Sequence, residues 1–469
     1  MCVLTKYYEM IPISGNETLL VNMLTSALDI IDDETKNKIE SMKDTISREM
    51  MEQEKELCKQ LRTRGYIFKD REEEKERVKK LFEIHKAMNQ WNFKKSFVIC
   101  PTMSCNLRCT YCFESEEQHR DTVLMTKEQL QQVLGYIKEK LDENKEMLMQ
   151  LGKQDMRIER SEIKLFGGEP LLKQNFHLIK RVLEFAKNND IAVKIITNGT
   201  MVDYYMELLK KYEEIISIQI TVDGSKKIHD QRRIRADGNG TYDLICSSID
   251  KLLKENIEVT MRINVDKENI EFLGELEKNI KDMGWNQSEK FIPYASPVQC
   301  FDNSDSNVMK ESEFLEKLVE AGYYGGENSF LKGIVASCVG YLNVFFSKKV
   351  KVKPWKIDYC EATSGNNICF APDGSITTCL TYVGKGRFNV GTFDSEGVYI
   401  NEKVFKMWEE RNIRRIDKCR ECKYAFICGG GCPVAALETN HNIDHVVCSD
   451  IKNTLKVYVQ LMKEKILGQ

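Results

Sequence analysis

The sequence lacks any segment that would cross a membrane or direct export. A transmembrane helix needs a run of about 18 or more apolar residues, and no such run occurs. The first residues, Met1-Cys2-Val3, do not begin the charged and then apolar pattern of a secretory signal. We therefore expect a soluble, cytoplasmic protein without a membrane partner.

The sequence also lacks an excess of charge of one sign. Its 69 Lys and Arg residues nearly balance its 72 Asp and Glu residues, which leaves a formal net charge of −3. Because no global positive field attracts polyanions, we expect no nucleic-acid partner. With 469 residues, 42% of them hydrophobic, the chain is long enough to form two or three domains with cores of their own.

Cysteine, in contrast, is abundant, with 17 residues. In a chain without a secretion signal, this favours metal or redox chemistry over disulfides. Three cysteines lie between 105 and 112, and eight lie between 360 and 448. The other six have no ligand-like spacing and are expected to pack as small hydrophobes: Cys2, Cys58, Cys100, Cys246, Cys300 and Cys338.

Cys105, Cys109 and Cys112 have the spacing CxxxCxxC. A 4Fe–4S cluster usually takes four thiolates, so three leave one iron free for another ligand. A structural zinc site or free thiols are the alternatives. With Tyr111 before the last cysteine, the motif resembles the cluster loop of radical S-adenosylmethionine (SAM) enzymes. The resemblance implies that the open iron chelates SAM and that reduction releases a 5′-deoxyadenosyl radical.

The middle of the chain alternates between strand and helix patterns. Apolar, β-rich runs cover 96–100, 162–166, 192–197, 216–222, 257–265 and 291–295, and helical patterns lie near 126–150, 174–188, 201–212, 241–255 and 268–283. Thr126 and Gln129 fit a capping box at the start of the first helix. The alternation predicts an α/β fold with a parallel sheet covered by helices. Six such units match the partial (β/α)6 barrel that the resemblance implies.

In parallel barrels, the chemistry lies at the carboxyl ends of the strands, where several further motifs follow. By resemblance, these residues would contact SAM: Gly167, Gly168, Glu169, Thr197, Asn198, Thr221, Asp223 and Arg262, together with Tyr111. A strand end and turn is the alternative for Thr221 and Asp223, and a buried ion pair is the alternative for Arg262. A solvated loop is expected for the basic run near the mouth of the site, with attraction of the substrate as the alternative; the run comprises Lys226, Lys227, Arg232, Arg233 and Arg235.

The C-terminal cysteines resemble the seven-cysteine SPASM pattern of radical SAM peptide-modifying enzymes, including Gly374. Sulfur-rich sites alone suit zinc or iron–sulfur equally well. The resemblance implies two auxiliary 4Fe–4S clusters, and so three clusters in all. The implied ligands are Cys360, Cys379 and Cys432 for the first, and Cys419, Cys422, Cys428 and Cys448 for the second. Cys369 is expected on a hairpin opposite Cys379, either completing the first cluster or leaving it an open iron.

These signals divide the chain into four predicted parts. Residues 1–92 form an α+β module with a hairpin over 7–22 and helices broken at Gly65, and residues 93–300 form the barrel. A helical connection covers 301–358, and the SPASM domain covers 359–469. Similar N-terminal modules pair a leader peptide with a sheet edge; a packing or dimerisation element is the alternative.

The predicted function is maturation of a ribosomally synthesised precursor peptide, with a sulfur-to-carbon thioether as the expected product. An electron donor such as flavodoxin or ferredoxin would reduce the clusters. The alternative enzyme is an anaerobic sulfatase-maturating, formylglycine-forming one, in which an aspartate usually follows the cysteine aligned with Cys379; here the residue is Leu380. A simple iron–sulfur electron carrier would need no SAM site. The sequence assigns no side chain as acid or base.

Overall fold

The structure is a computed structural model that describes residues 2–42, 45–90, 92–152, 159–301, 306–350 and 355–467. None of the helices in these ranges is long and apolar enough to cross a membrane.

The N-terminal part contains two small sheets and four helices. The predicted hairpin is confirmed, since β2 and β3 pair antiparallel around a turn at Gly15, whose φ is +49°. Gly65, with φ +78°, follows the third helix, as predicted. The sheet orders are β2-β3-β4 and β5-β1-β6. The elements are β1 (Cys2–Leu4), β2 (Tyr8–Ser14), β3 (Glu17–Asn22), β4 (Leu28–Asp32), α1 (Asp33–Met42), β5 (Thr45–Ile46), α2 (Arg48–Gln53), α3 (Lys55–Thr63), β6 (Ile67–Phe68) and α4 (Arg71–Gln90).

The middle part confirms the predicted α/β fold. Six parallel strands stand in the order β14-β13-β11-β10-β9-β7, at the positions that the apolar runs predicted. The capping box of Thr126 and Gln129 is present. The elements are β7 (Ser96–Ile99), β8 (Leu107–Cys109), α5 (Glu116–Arg120), α6 (Lys127–Gln150), β9 (Glu162–Leu165), α7 (Phe176–Asn188), β10 (Ala192–Thr197), α8 (Val202–Lys211), β11 (Ile216–Thr221), α9 (Lys226–Arg232), β12 (Arg233–Arg235), α10 (Tyr242–Lys254), β13 (Glu258–Val265), α11 (Leu273–Asp282) and β14 (Phe291–Pro297).

The barrel strands have two different faces because successive side chains point to opposite sides of a sheet. Ile163, Leu165 and Ile195 are fully buried and belong to the main hydrophobic core. Lys164 and Lys194 occupy the alternate positions and line a cavity inside the barrel. The outer face is therefore held by apolar packing on the helices, while the inner face carries polar groups.

The C-terminal part extends the barrel sheet. Strand β16 pairs parallel with β7, and β17, β18 and β19 follow antiparallel, so one sheet of eleven strands runs from β15 to β19. The elements are α12 (Glu311–Glu320), β15 (Gly333–Ile334), α13 (Ser337–Phe346), β16 (Asn367–Phe370), β17 (Ser375–Thr377), β18 (Gly391–Phe393), β19 (Val398–Ile400), α14 (Glu402–Glu409), α15 (Asp417–Arg420), α16 (Ala425–Cys428), α17 (Pro433–Asn440), α18 (Ile451–Leu461) and α19 (Lys463–Leu467).

Candidate active site

A cavity of about 650 Å³ lies within the barrel and reaches the carboxyl ends of its strands. It brings together eleven residues that the sequence predicted for this end of the barrel: Cys105, Cys109, Tyr111, Cys112, Gly167, Gly168, Glu169, Thr197, Asn198, Thr221 and Arg262. Asp223 lies behind this wall and is fully buried. The strand order thus joins motifs that are far apart in the chain.

The loop with three cysteines is held in place from both sides. Strand β8, which ends at Cys109, pairs antiparallel with β12. The backbone N–H of Cys105 donates to the carbonyl oxygen of His119 at 3.2 Å. Burial raises the pKa of Cys112 to about 12, and the nearby Glu114 carboxylate adds to this shift. Because these surroundings oppose free thiolates, the loop favours thiolates only when a cation binds them.

Gly167 and Gly168 are pressed against the backbone of the cysteine loop. Gly167 has a φ of +119°, and a Cβ there would lie 2.3 Å from the carbonyl oxygen of Thr102. A Cβ on Gly168 would lie 2.2 Å from the carbonyl oxygen of Met103. Only glycine fits such approaches. The two residues therefore serve first to pack the turn after β9 onto the cysteine loop.

The Glu169 carboxylate is fully buried and already has three partners. One oxygen accepts from the Thr197 hydroxyl at 2.6 Å and from the Leu171 N–H at 2.8 Å. The other accepts from the Asn198 N–H at 2.6 Å. Burial raises the pKa of Glu169, and these donors oppose the shift. Glu169 thus ties the turn after β9 to the end of β10.

Asn198 links the same strand end to the cysteine loop. Its Nδ2 donates to Asn106 Oδ1 at 2.8 Å and lies 4.0 Å from Cys105 Sγ. Its Oδ1 accepts from the backbone and hydroxyl of Thr200. Thr197 and Asn198 therefore orient the loop and Glu169 as well as lining the cavity.

The Tyr111 hydroxyl joins the loop to two barrel strands. It donates to Asp223, and it accepts from Arg233 at 2.7 Å and from Asn264 Nδ2 at 3.1 Å. Asp223 also accepts from the Asn264 N–H at 3.0 Å. Asp223 is thus a buried anchor for Tyr111, while the Thr221 side chain faces the cavity.

The expected solvated loop at the basic run is wrong for Arg232 and Arg233, which are both buried. Arg232 forms a two-pronged ion pair with Asp266, at 3.0 and 2.8 Å, and covers the Tyr111 ring at 4.9 Å. Asp266 follows β13, so only the folded barrel brings the two residues together. Lys226 and Arg235 remain largely exposed.

Arg262 lies half-buried in the cavity wall without a carboxylate partner among the described residues. Its Nε donates to Asn264 Oδ1 at 2.7 Å, and its Nη2 donates to the Ser296 hydroxyl at 3.0 Å. Both partners are neutral, so they orient the guanidinium without cancelling its charge. The geometry leaves this cation able to bind an anion in the cavity.

The eight C-terminal cysteines fall into two neighbourhoods. Burial, followed by the charges of Cys428, Cys422 and Cys448, raises the pKa of Cys419 to about 12. Cys360 is exposed as a residue, but local desolvation of its thiol, followed by the charges of Cys379 and Cys432, raises its pKa to about 12. The neighbouring cysteines named here belong to the same two sets that the resemblance to SPASM enzymes implies as cluster ligands.

Cys369 lies on the predicted hairpin, where it is the register partner of Thr377, two residues before Cys379. Its side chain is fully buried beside Val98 and Cys100, and its Sγ accepts from Asn367 Nδ2 at 3.5 Å. Burial, followed by the charge of Cys379, raises the pKa of Cys369. The thiol is thus close to the first neighbourhood but surrounded by apolar side chains.

Two residues beside the cysteine loop were missed from the sequence. His119 Nε2 lies 3.4 Å from Cys112 Sγ and 3.4 Å from Glu114 Oε2, and both side chains are buried. Glu114 Oε1 has no hydrogen-bond partner among the described residues. A glutamate and a histidine within seven residues of the last cysteine of the motif were a usable signal in the sequence, although the helix α5 that positions His119 is too short to predict.

Comparison with known proteins agrees with this arrangement. Residues 99–278 match the Radical SAM superfamily. The cysteine-type anaerobic sulfatase-maturating enzyme of Clostridium novyi is 24% identical over 383 residues, which are 76% of this chain and 93% of the relative. The Fe-coproporphyrin III synthase of Methanosarcina barkeri is 24% identical over 389 residues, with 76% and 88% covered.

Two solved structures resemble the fold over most of its length. The structure of anSMEcpe with bound AdoMet superposes with a TM-score of 0.59 at 17% identity, over 80% of this chain and 94% of the other. Streptococcus suis SuiB bound to precursor peptide SuiA gives 0.55 at 14% identity, over 96% and 99%. The family match shows a radical SAM domain over residues 99–278, and the two structural likenesses show that the α/β fold is shared over most of the chain.

Proposed function

We propose that this chain is a radical SAM maturase that modifies a ribosomally synthesised precursor peptide and forms a thioether cross-link in it. Cys105, Cys109 and Cys112 would hold the SAM-binding 4Fe–4S cluster. When bound, the cluster and SAM supply a 5′-deoxyadenosyl radical that removes a hydrogen atom from the substrate. The closely packed loop, whose three cysteines are partly buried at the cavity, fits this cofactor, since its thiols need a cation to favour their thiolate form.

The protein's own part is to position the cofactor and exclude water. Glu169, Thr197 and Asn198 fix the turn beside the cluster loop, and Tyr111 anchors that loop to Asp223. Arg262 would bind the carboxylate of SAM, because it is a cavity cation oriented only by neutral groups. Gly167, Gly168 and Thr221 complete the wall.

The C-terminal cysteines would hold two auxiliary 4Fe–4S clusters. Cys360, Cys379 and Cys432, with Cys369 as the fourth ligand, form the first set, and Cys419, Cys422, Cys428 and Cys448 form the second. Within each set, the charge of one cysteine raises the pKa of another, which indicates that these thiols lie near one another and supports both sets. When bound, these clusters would supply an acceptor for the electron that the substrate loses, and a separate donor such as flavodoxin or ferredoxin would reduce the radical cluster.

The main structural support for a peptide substrate is an edge strand, β4, of the N-terminal sheet. Among the described residues, β4 pairs as a strand only with β3. Apart from the Leu28 carbonyl, which accepts from Arg64 Nη2, its outer edge can receive a further strand. Ile30 on this strand is 53% exposed. A leader peptide could pair with β4 by main-chain hydrogen bonds. The SuiB–SuiA complex, which resembles 96% of this chain, supports this substrate class.

Formylglycine formation in a sulfatase is the second candidate function. The similarity to the sulfatase-maturating enzyme of Clostridium novyi favours it. Against it, Leu380 occupies the position where such enzymes usually carry an aspartate, and Leu380 packs beside Val98 and Cys100 at the cavity. A leucine cannot take a proton from a substrate thiol.

Mass spectrometry after anaerobic co-expression with the peptide encoded beside this gene tests the proposal. A thioether predicts loss of a pair of hydrogen atoms, retention of sulfur and one cysteine that resists alkylation. Conversion of a thiol to an aldehyde, trapped by a hydrazide, would instead identify formylglycine. An unmodified peptide would contradict both functions if the purified enzyme still produces 5′-deoxyadenosine from SAM.

A triple variant provides the control for cofactor assignment. Cys105, Cys109 and Cys112 changed together to alanine should remove the iron of one cluster and abolish 5′-deoxyadenosine formation, because no thiolate remains to hold it. The iron of the two auxiliary clusters should stay. Formation of 5′-deoxyadenosine at the wild-type rate would show that the cluster lies elsewhere.

A further inference from the structure

The interior face of the barrel carries two lysines side by side. Lys164 on β9 and Lys194 on β10 are register partners and both line the cavity. Like charges placed directly opposite destabilise a sheet. Lys164 is compensated, since its Nζ lies 2.9 Å from Glu361 and 3.5 Å from Glu162. Among the described residues, Lys194 has no hydrogen bond or ion pair.

The carboxylates of the cavity wall are not available to Lys194. Glu169 is bound by Thr197 and two backbone N–H groups, and Glu114 lies beside His119. Burial is the main influence that lowers the pKa of Lys194. The charges of Glu162, which already pairs with Lys164, and of Glu258 on β13 oppose the shift, whereas the charges of Lys164 and Arg262 add to it. A largely buried cation without a partner is costly unless an anion joins it.

The anion for Lys194 is not the one proposed for Arg262. Lys194 is the register partner of Ser217 on β11, whereas Arg262 is the partner of Thr221 on the same strand. The two levels differ by four residues of β11, which corresponds to roughly 13 Å along the strand. The two side chains therefore start from separate levels of the barrel wall, and a second anion can occupy the level of Lys194 when the SAM carboxylate is held at Arg262.

We propose that Lys194 forms a subsite for a carboxylate of the peptide that enters the barrel cavity, and so selects a substrate segment with an acidic group. This inference rests on the proposed function, because it takes the occupant to be a peptide. The carboxylate can belong to an aspartate or glutamate side chain or to the C-terminus of the peptide. Gln219 and Thr260, which are register partners two residues along β11 from the level of Lys194, line the same interior face and are neutral.

Three capped amino acids distinguish these sources. N-acetyl-glutamate N-methylamide offers only a side-chain carboxylate, N-acetyl-glutamine offers only a terminal one, and N-acetyl-glutamine N-methylamide offers none. Their dissociation constants are measured anaerobically by saturation-transfer NMR on the holoenzyme with SAM bound. We expect one of the two acids to bind the wild type about tenfold or more tightly than the neutral amide, as charge-assisted hydrogen bonds do.

Lys194→Gln should remove this preference while leaving SAM affinity and iron content unchanged. The variant should fold, because it relieves the repulsion between Lys194 and Lys164 and keeps a polar group. Lys187→Gln, on the exposed side of α7, is the matched control and should keep the wild-type preference.

Equal binding of acids and amide, no binding of either acid, an unchanged preference in Lys194→Gln, or loss of SAM binding in that variant would each overturn the subsite. None of these results depends on turnover. If the co-expressed peptide is still modified, such a result removes the subsite and leaves the proposed function intact.

Discussion

Some polar and charged side chains that line the cavity lack a full set of hydrogen-bond or ion-pair partners within the protein. Arg262 is oriented by Asn264 and Ser296, which are neutral, and Glu114 keeps one buried oxygen without a partner in the described part of the chain. A buried polar group without a partner lowers the stability of an ordinary hydrophobic core, but such groups are common where a bound ligand supplies the missing partner. The polar inner wall of the barrel is therefore organised for ligands that the protein surrounds.

Arg262→Ala should weaken SAM binding about 10- to 150-fold, because a charge-assisted hydrogen bond to a carboxylate contributes about 1.5–3 kcal/mol. Equilibrium dialysis of labelled SAM against the reconstituted, anaerobic protein measures the change. Arg235→Ala is the control, since Arg235 lies on the exposed end of β12 and pairs with Asp237. Unchanged SAM affinity in an Arg262→Ala protein with full iron would show that this arginine is only structural.

Cys369→Ala should make the first auxiliary cluster labile or convert it to a three-iron form, because one thiolate ligand is removed. Iron analysis and electron paramagnetic resonance of the reduced protein measure this, with and without peptide. Cys246→Ala, at a buried thiol on α10, should keep normal iron. If Cys369→Ala also keeps full iron, Cys369 is a packed thiol, and a cysteine-containing peptide should then alter the wild-type spectrum by binding the open iron.

Strands and helices were predictable because their signals are local. Each barrel strand is a short apolar run, and the capping box of Thr126 and Gln129 marked the start of α6. The cysteine spacing and the glycine pair were also readable from the sequence. Arg232 and Arg233 were not, since their partners Asp266 and Tyr111 come from other elements. A basic run is normally solvated, and only the tertiary structure reverses that.

The pairing of distant strands could not be predicted either, because it also depends on contacts between separate parts of the chain. Nothing in residues 367–370 indicates that β16 joins β7, because parallel pairing between distant segments leaves no local pattern. Lys164 and Lys194 could have been noticed as charged residues at alternate positions of apolar strands. Their pairing in register, which makes Lys194 unusual, depends on the strand order.

The turn after β9 and the cysteine loop act as one packed unit. Gly168→Ala would place a Cβ 2.2 and 2.4 Å from two backbone carbonyl oxygens, of Met103 and Ser104. We expect a loss of about 1–3 kcal/mol, as for overpacking in a core, with weakened retention of the radical cluster. Thermal unfolding and iron analysis provide the measurements.

Gly135→Ala is the matched control for this change. Gly135 lies within α6, and a Cβ there meets nothing within 4 Å. The substitution should stabilise the helix by about 0.5–1 kcal/mol and leave iron content unchanged. Normal iron and stability in Gly168→Ala would mean that the loop moves freely and is not held by this turn.

At the scale of the whole molecule, the barrel and the C-terminal part share one sheet. Strand β7, directly before the cysteine loop, has β9 on one side and β16 on the other. Cys369 on β16 is the register partner of Val98 on β7. The cysteine loop and Cys369 are therefore fixed to neighbouring strands, so the separation between the proposed radical cluster and the proposed first auxiliary cluster would be set by the sheet and not by a flexible linker.

A buried histidine makes the folding stability of the protein sensitive to low pH. His229 is fully buried, where Nδ1 accepts from the Asp223 N–H at 3.4 Å and Nε2–H donates to Thr241 at 2.9 Å. Thr241 in turn donates to the carbonyl oxygen of Arg233. Burial, with the charges of Arg233 and Arg232, lowers the pKa of His229 well below its usual value. Folded protein thus keeps this ring neutral.

Unfolded protein takes up a proton on the same ring below about pH 6.5, so the unfolded state gains stability as pH falls through that value. We expect the contribution of His229 to the free energy of unfolding to be constant above about pH 7.5 and to fall by about 1.4 kcal/mol per pH unit well below pH 6.5.

Thermal midpoints of wild type and His229→Gln, measured anaerobically from pH 8 to about 5.5, test this expectation. The difference in thermal midpoint by which the wild type exceeds His229→Gln should shrink as pH falls. His177 is exposed on α7, so the midpoint of His177→Gln should follow that of the wild type. A difference between wild type and His229→Gln that does not change with pH would show that the buried ring accepts a proton in the folded protein.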